Sequence, residues 1–595
     1  VDLPWSTCPA VATTCTASGP HGGQGLRHFG VVGGIDGPQI ENRAPLMDPD
    51  RFAEEKARGL TIDLGFAWTT LPSGRELAFI DVPGHVRFLK NMLAGVGAVD
   101  ACLFVVAATE SWKPQSEEHL RILQLLGVSH GMIALTKVGL VDDDTRELTR
   151  MEIEDEVAGT FLEGAPIIEV DVLAGRGVDE LRAALDELLA TTPASVDRRR
   201  PRLWVDRVFA AKGSGTVVTG TLAGGALAVD DELMVLPSMK KVRVRGLQSL
   251  QRQRETVGPG SRVAVNVSGV SHDEVARGHA LVKPNQWRPT RTFDASLQVL
   301  DGLAHPVSRR GAYQAYLGSG EHAVRLRVLG EEAIAPGKVG AIRLHLPVAV
   351  PLLPGDRFIL RESGRDETVG GGEVLDVAPV RAASKARPSR SVDRVIEERG
   401  WVSADDLERM TGERREPNVG RWVVSPAALE AALAELRDAI ESAGPLGVDR
   451  AGLTDRQRAV LPLLDGVTVE GGRIRPAEAV DPLADHPFVA ALEASPFAPP
   501  EPSGVNRAEL AELVRRGLIV EREGVYFGPK AVDAAARRVA EMLVENPEGV
   551  TVAQVRDGLG TTRKHALPLL AHFDATGVTR RRGDLRIGGP RLPQI

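Results

Sequence analysis

Asp81-Val82-Pro83-Gly84-His85 is the stretch of this chain whose residue types can act together on a phosphate. It follows the apolar run Leu77-Ala78-Phe79-Ile80, which has the length and composition of a buried strand. An aspartate at the end of a strand can hold a metal ion, directly or through water. The Pro-Gly pair turns the chain sharply, and Gly84, lacking a Cβ, lets its backbone N–H come close to a phosphate. His85 beside that turn can orient an attacking water. Beyond it, Val86, Leu89, Met92, Leu93 and Val96 recur at helical spacing, so one face of a following helix packs on the sheet. A strand-turn-helix corner with an incidental histidine has the same pattern, so neighbouring motifs must decide.

Those neighbours are Arg58-Gly59-Leu60-Thr61-Ile62-Asp63 upstream and Leu135-Thr136-Lys137, which closes an apolar run downstream. Together the three motifs resemble those of the translational GTPases. The longer run Asp48-Pro49-Asp50-Arg51-Phe52-Ala53-Glu54-Glu55-Lys56-Ala57, leading into Arg58 and on to Phe66, is similar to the bacterial selenocysteine-specific elongation factors. The resemblance extends from about Met47 to the C-terminus. It implies that Thr61 and Asp81 serve Mg²⁺, that the Gly84 N–H senses the γ-phosphate of GTP, and that Thr136 and Lys137 belong to the base-recognition loop. His85 is implied as the catalytic residue, orienting water where other GTPases use a glutamine.

Three features depart from that family. Residues 1–46 contain no lysine, and Gly19-Pro20-His21-Gly22-Gly23-Gln24-Gly25 lacks the Lys and Ser/Thr that complete a phosphate loop. This segment is expected to be atypical, as a shifted reading frame would leave it. The family's base-recognition loop reads Asn/Thr-Lys-x-Asp, and its Asp accepts two hydrogen bonds from guanine; here that position is Gly139. Asp142 is expected in a different turn. Asp171-Val172-Leu173 stands where the family has Ser-Ala-x beside the base. These departures predict weak GTP binding and loss of guanine selectivity. They leave open a GTPase-defective, RNA-binding remnant of the same factor.

A chain of 595 residues needs several cores. The net charge of -8 provides no global nucleic-acid footprint, so any such binding must come from local basic patches. Cys8, Cys15 and Cys102 make neither a disulfide framework nor a zinc set, which fits a reducing cytoplasm. No membrane span or secretory signal is visible. The expected architecture is multidomain. Residues 47–192 form an α/β GTPase domain of P-loop type with an atypical N-terminal part. Strands are expected at 102–107, 132–135 and 166–170, and the clearest helices at 116–126 and 178–189. Arg198-Arg199-Arg200-Pro201 reads as a solvated linker.

Alternating strands and Gly turns then fill 200–285 and 290–379, resembling the two β-barrels of elongation factor Tu relatives. The resemblance implies an aminoacyl pocket on the first barrel, at Asp206, Arg207, Arg243 and Arg245. Alternation places Arg243 and Arg245 on one strand face. A selenol ionises more readily than a thiol, and fixed guanidinium charge favours the anion.

From 383 to 595 amphipathic helices alternate with hairpin candidates at 421–424, 467–474, 518–527 and 578–587, a pattern of about four α+β winged-helix repeats. In the last, Thr561 and Thr562 are expected to cap a helix carrying Arg563 and Lys564, with Pro568 starting or kinking it. The wing carries Arg580, Arg581 and Arg582. These five cations form a local RNA-binding candidate in an acidic protein, and a fragment from about Val532 is expected to fold alone. The partners implied are selenocysteinyl-tRNA, the ribosome and a selenoprotein messenger RNA hairpin, bound by a cytoplasmic monomer.

Overall fold

The computed structural model describes residues 28–32, 64–82, 92–93, 101–211, 215–250, 252–479 and 481–595. The chain divides into two compact units, Val1–Val423 and Val424–Ile595.

The first unit opens with a six-stranded sheet. Its strands are β1 (His28–Val32), β2 (Gly65–Thr70), β3 (Glu76–Asp81), β4 (Ala101–Ala107), β5 (Gly131–Thr136) and β6 (Ile167–Val170). The order is β2-β3-β1-β4-β5-β6, parallel except for the antiparallel β2–β3 pair. A central strand thus comes from the segment read as atypical: Val31 pairs with Asp81 and Phe29 with Ala101. All seven residues of β4 are buried. Cys102, Phe104 and Val106 enter one core, while Ala101, Leu103 and Val105 enter another on the opposite face. Burial on both faces explains why β4 is continuously apolar rather than alternating.

Among the described residues, three complete helices flank the sheet: α1 (Pro114–Leu125), α2 (Asp143–Glu156) and α3 (Val178–Thr191). Pro114 opens α1, where its missing N–H costs nothing. Of the helix expected after Gly84, only Met92 and Leu93 lie among the described residues; both are helical and buried.

The first barrel closes through β7 (Arg202–Ala211), β8 (Gly215–Ala223), β9 (Glu232–Leu236), β10 (Lys240–Ser249), β12 (Arg262–Ser268) and β13 (Ala280–Val282), with β11 (Arg252–Arg254) added at one edge. Its core is mostly Val and Leu from alternate positions, such as Leu203, Val205, Val242 and Val244. The second barrel runs β14 (Thr290–Val299), β15 (Tyr313–Leu317), β16 (Gly320–Val328), β17 (Val339–Val350), β18 (Arg357–Glu362) and β19 (Glu367–Asp376), closed by β14–β19 pairing. Helix α1 seats on this barrel: Ile359 joins the α1 core, and Glu118 accepts from Thr368 Oγ1 at 3.1 Å and lies 3.4 Å from Arg361.

Arg200 corrects the linker expectation. It is buried, donates to the Glu408 carbonyl at 2.8 Å and lies over the Trp287 ring. The strand carrying Trp422 makes only a one-residue antiparallel bridge locally, to Val419; its strand partner is Trp401–Ser403, and Trp401 and Trp422 meet edge to face.

In the second unit, Val467–Glu470 pairs with Arg473–Pro476 around Gly471-Gly472. Val520–Arg522 pairs with Val525–Phe527, and Thr579–Arg582 with Leu585–Gly588. The last hairpin packs with α4 (Pro529–Glu545), α5 (Val552–Gly558) and α6 (Arg563–Thr576). Helix α4 buries Val532, Ala535, Ala536, Val539 and Leu543, one stripe at helical spacing, against Phe573, Leu570 and Phe527. A cut at Val532 would therefore open this helix inside its first turn and remove Phe527 from the core. No helix among the described residues is long and apolar enough to cross a membrane.

Candidate functional site

The carboxyl edge of the parallel sheet gathers the predicted nucleotide residues, as expected where strands of an open α/β sheet end. Asp81 closes β3 beside Val31 of β1 and Gly65 of β2. Thr61, Gly84 and His85 lie outside the described residues. Thr136 ends β5, buried, with its hydroxyl donating to the Val106 carbonyl at 3.3 Å. Lys137 follows with a left-handed backbone (φ 58), which turns the chain into a short 3-10 helix, Val138–Leu140. Its ammonium lies 3.3 Å from Glu110. Partial burial would raise the Glu110 pKa, but hydrogen bonds from Lys113 and Lys137 hold it below the usual carboxylate range.

The two departures from the expected base site are neighbours. Residue 136 pairs with 170 across β5 and β6, so 139 and 171 lie on adjacent loops. A Cβ built at Gly139 would stand 1.9 Å from Asp171 Oδ2. Asp171 is only 9% exposed, and its Oδ1 accepts from the Ala174 N–H at 3.1 Å. Asp142 is committed elsewhere: it caps α2, accepting from the Thr145 N–H at 2.8 Å.

On the first barrel the four predicted pocket residues separate. Asp206 is buried and clamped by both arms of Arg262, with Thr219 donating at 2.7 Å. Burial alone would raise the Asp206 pKa; the Arg262 charge and these hydrogen bonds hold it low. Arg207 donates to the Leu64 carbonyl, tying the barrel to the sheet. Arg243 and Arg245 share the exposed face of β10, as alternation predicts. Arg243 pairs with Asp230 at 3.0 Å, both side chains mostly exposed. Arg262 was not singled out from sequence, because its partner lies 56 positions away.

In the last winged helix, a cleft of ≈ 330 Å³ is lined by Thr551, Val552, Ala553, Arg556, Arg563, Leu567, Arg581, Asp584 and Arg586. It brings together Arg563 and Arg581 from the predicted set and adds Arg556 and Arg586. Arg586 is held by Asp574 at 3.2 Å, and Asp574 also accepts from the buried Thr579 hydroxyl at 2.7 Å, which locks helix to wing. Lys564 lies outside the cleft lining and pairs with Glu501 at 2.7 Å. Arg580 and Arg582 are exposed. The expected hydroxyl cap is absent: the Thr562 hydroxyl at the N-cap reaches no helix backbone N–H and instead lies 3.4 Å from His565 Nδ1, and the Thr561 hydroxyl donates to the Phe497 carbonyl. Pro568 lies inside α6, buried, rather than opening it. Packing of its ring in the core offsets the intrahelical bond it cannot donate.

A family model for the elongation factor Tu GTP binding domain matches residues 31–191, and one for the winged helix of elongation factor SelB matches 541–587. The selenocysteine-specific elongation factor of Desulfomicrobium baculatum is 31% identical over 90% of this chain and 95% of its own length. That of Escherichia coli (strain K12) is 30% identical over 90% and 94%. In fold, the chain resembles the crystal structure of a bacterial selenocysteine-specific elongation factor, with a TM-score of 0.67 at 24% identity, covering 91% of this chain and 95% of that one.

Proposed function

The chain belongs to the selenocysteine-specific elongation factors, and from that premise we propose that it carries selenocysteinyl-tRNA to the ribosome at recoded UGA codons, using GTP. It acts as a cytoplasmic monomer, and its last winged helix tethers it to a hairpin in selenoprotein messenger RNA. The observation that carries this reading is the basic cleft joining Arg556, Arg563 and Arg581 beside the open N-terminus of α6. Free N–H groups, the helix dipole and guanidinium charge all favour phosphate there. Structured RNA is recognised by shape and splayed loop bases, which suits a helix end beside a wing.

Asp81 and Thr61 would hold Mg²⁺. The strand-end place of Asp81 fits such a role, since Mg²⁺ beside phosphates takes only one or two protein oxygens. Bound there, the ion would neutralise charge on the β- and γ-phosphates. Gly84 would sense the γ-phosphate through its N–H, Thr136 and Lys137 would border the base, and His85 would orient the attacking water. On the first barrel, Arg243 and Arg245 are the pocket candidates left facing outward, with Arg207 joining barrel to sheet and Asp206 serving through its pair with Arg262. A GTPase-defective remnant is disfavoured, because similarity to the relatives runs through the GTPase domain as well as the C-terminal arm. The test is protection of aminoacyl esters from hydrolysis with GTP present. Selenocysteinyl-tRNA should be protected and seryl-tRNA left exposed; equal protection, or none, would refute the reading.

A further inference from the structure

The base loop and the loop after β6 each break the expected pattern, one by losing a carboxylate and the other by gaining one. We infer that the two changes are a single exchange: Asp171 supplies the carboxylate that reads guanine in this chain. The inference rests on the GTP-using reading above.

The geometry requires the two residues to go together. A Cβ at position 139 would overlap Asp171 Oδ2, at 1.9 Å, so Asp171 can hold this conformation only opposite a glycine. The φ of Gly139 is not in the left-handed region, so it is the space, not the backbone, that demands glycine. The reverse also holds. A carboxylate at 139 would collide with Asp171 and bring two negative charges together, which neither could offset. Asp171 is fixed rather than loose: its backbone pairs with Arg176 in both directions at 2.9 Å, and Oδ1 accepts from the Ala174 N–H. Among the described residues no donor reaches Oδ2, the oxygen that stands against the base loop. An ionised carboxylate is an acceptor-only group. Guanine offers two adjacent donors on one edge, N1–H and the N2 amino group, whereas adenine offers none in that pair. The left-handed turn at Lys137 and the adjoining loop ends of β5 and β6 place that acceptor where the base-recognition loop begins.

The exchange is tested on the full chain by calorimetric titration with GDP, inosine diphosphate and xanthosine diphosphate, each carried to millimolar concentration. The wild type should prefer GDP over the inosine compound, which lacks the N2 amino group, and should not measurably bind the xanthosine compound. Asp171→Asn is nearly isosteric and keeps the Oδ1 acceptor for Ala174. It should weaken GDP at least about tenfold, the loss expected for a charge-assisted pair. It should gain xanthosine diphosphate, because an amide can donate to the C2 oxygen that replaces the amino group. Returning the carboxylate to the other loop, with Gly139→Asp and Asp171→Ala together, should restore the GDP preference. Unchanged base preference in Asp171→Asn would overturn the proposal. So would failure of GDP to bind the wild type at millimolar concentration. Unchanged base preference in Asp171→Asn leaves the GTP-using reading standing, whereas failure of GDP to bind the wild type counts against that reading as well; hairpin binding, which uses no nucleotide, is touched by neither.

Discussion

His119 gives the first unit a built-in acid sensitivity. It lies on α1, 2% exposed, and its Nδ1 has no hydrogen-bond partner. Burial pushes its pKa down to about 4. In the unfolded chain an imidazole takes its proton near pH 6.5. Between these values the unfolded state binds the proton and the folded state does not. Stability from this group is therefore complete above about pH 6.5 and lost progressively as pH falls towards about 4. From about pH 7.5 to pH 5 the loss is about 2 kcal/mol, a large part of a domain's margin. His119→Leu fills a similar volume and removes the titration. At neutral pH it should change stability by less than about 1.5 kcal/mol. At about pH 5 it should be more stable than the wild type by about 2 kcal/mol relative to that baseline. Urea unfolding followed by tryptophan fluorescence reads this core, because Trp112 stacks on Phe104 at 5.5 Å within it. Equal pH dependence in both proteins would mean that His119 is charged or hydrated in the fold, and would refute the reasoning.

Arg262→Met leaves the Asp206 carboxylate buried with its main counter-charge gone and only the Thr219 hydroxyl and the Arg207 charge to offset it, which should cost about 3 kcal/mol at neutral pH. Asp206 has a depressed pKa in the wild type, so its contribution is present above the unfolded carboxylate pKa and disappears as pH falls through the folded one; the gap between the two proteins should shrink in acid. A loss below about 1 kcal/mol by urea unfolding would show the pair to be a weak surface bridge. Replacing Arg243 and Arg245 together with Ala should weaken selenocysteinyl-tRNA much more than seryl-tRNA in filter-binding titrations. Equal losses would assign these arginines to general phosphate contact.

What could be read from the sequence was whatever depends on local spacing. The exposed-buried alternation along Val242–Leu247 follows period two apart from the bulge at Gly246, so the shared face of Arg243 and Arg245 was visible. Helix α3 and the strands β4, β5 and β6 were equally plain. Strand β1 was hidden, because a five-residue strand inside a parallel sheet carries no alternation and sits among glycines. Helix α2 was missed because only Thr149 and Ile153 are buried on it, leaving almost no apolar stripe. The remaining errors were pairings across distance. Arg200 looked solvated until Glu408 and Trp287 came into place, and Lys564 looked free until Glu501 did. Gly139 and Asp171 were both noticed as departures, but only the fold makes them neighbours.

The most direct measurement is titration of the full chain with a selenoprotein messenger RNA hairpin and a loop-scrambled control at two salt concentrations. Affinity for the hairpin should exceed that for the control and fall steeply with salt, as neutralised phosphates require. Arg563→Ala with Arg581→Ala should abolish the preference, because both line the cleft, whereas Lys564→Ala should have a smaller effect, because that ammonium is paired with Glu501. Equal affinity for hairpin and control, or a preference that survives the loss of both arginines, would contradict the account.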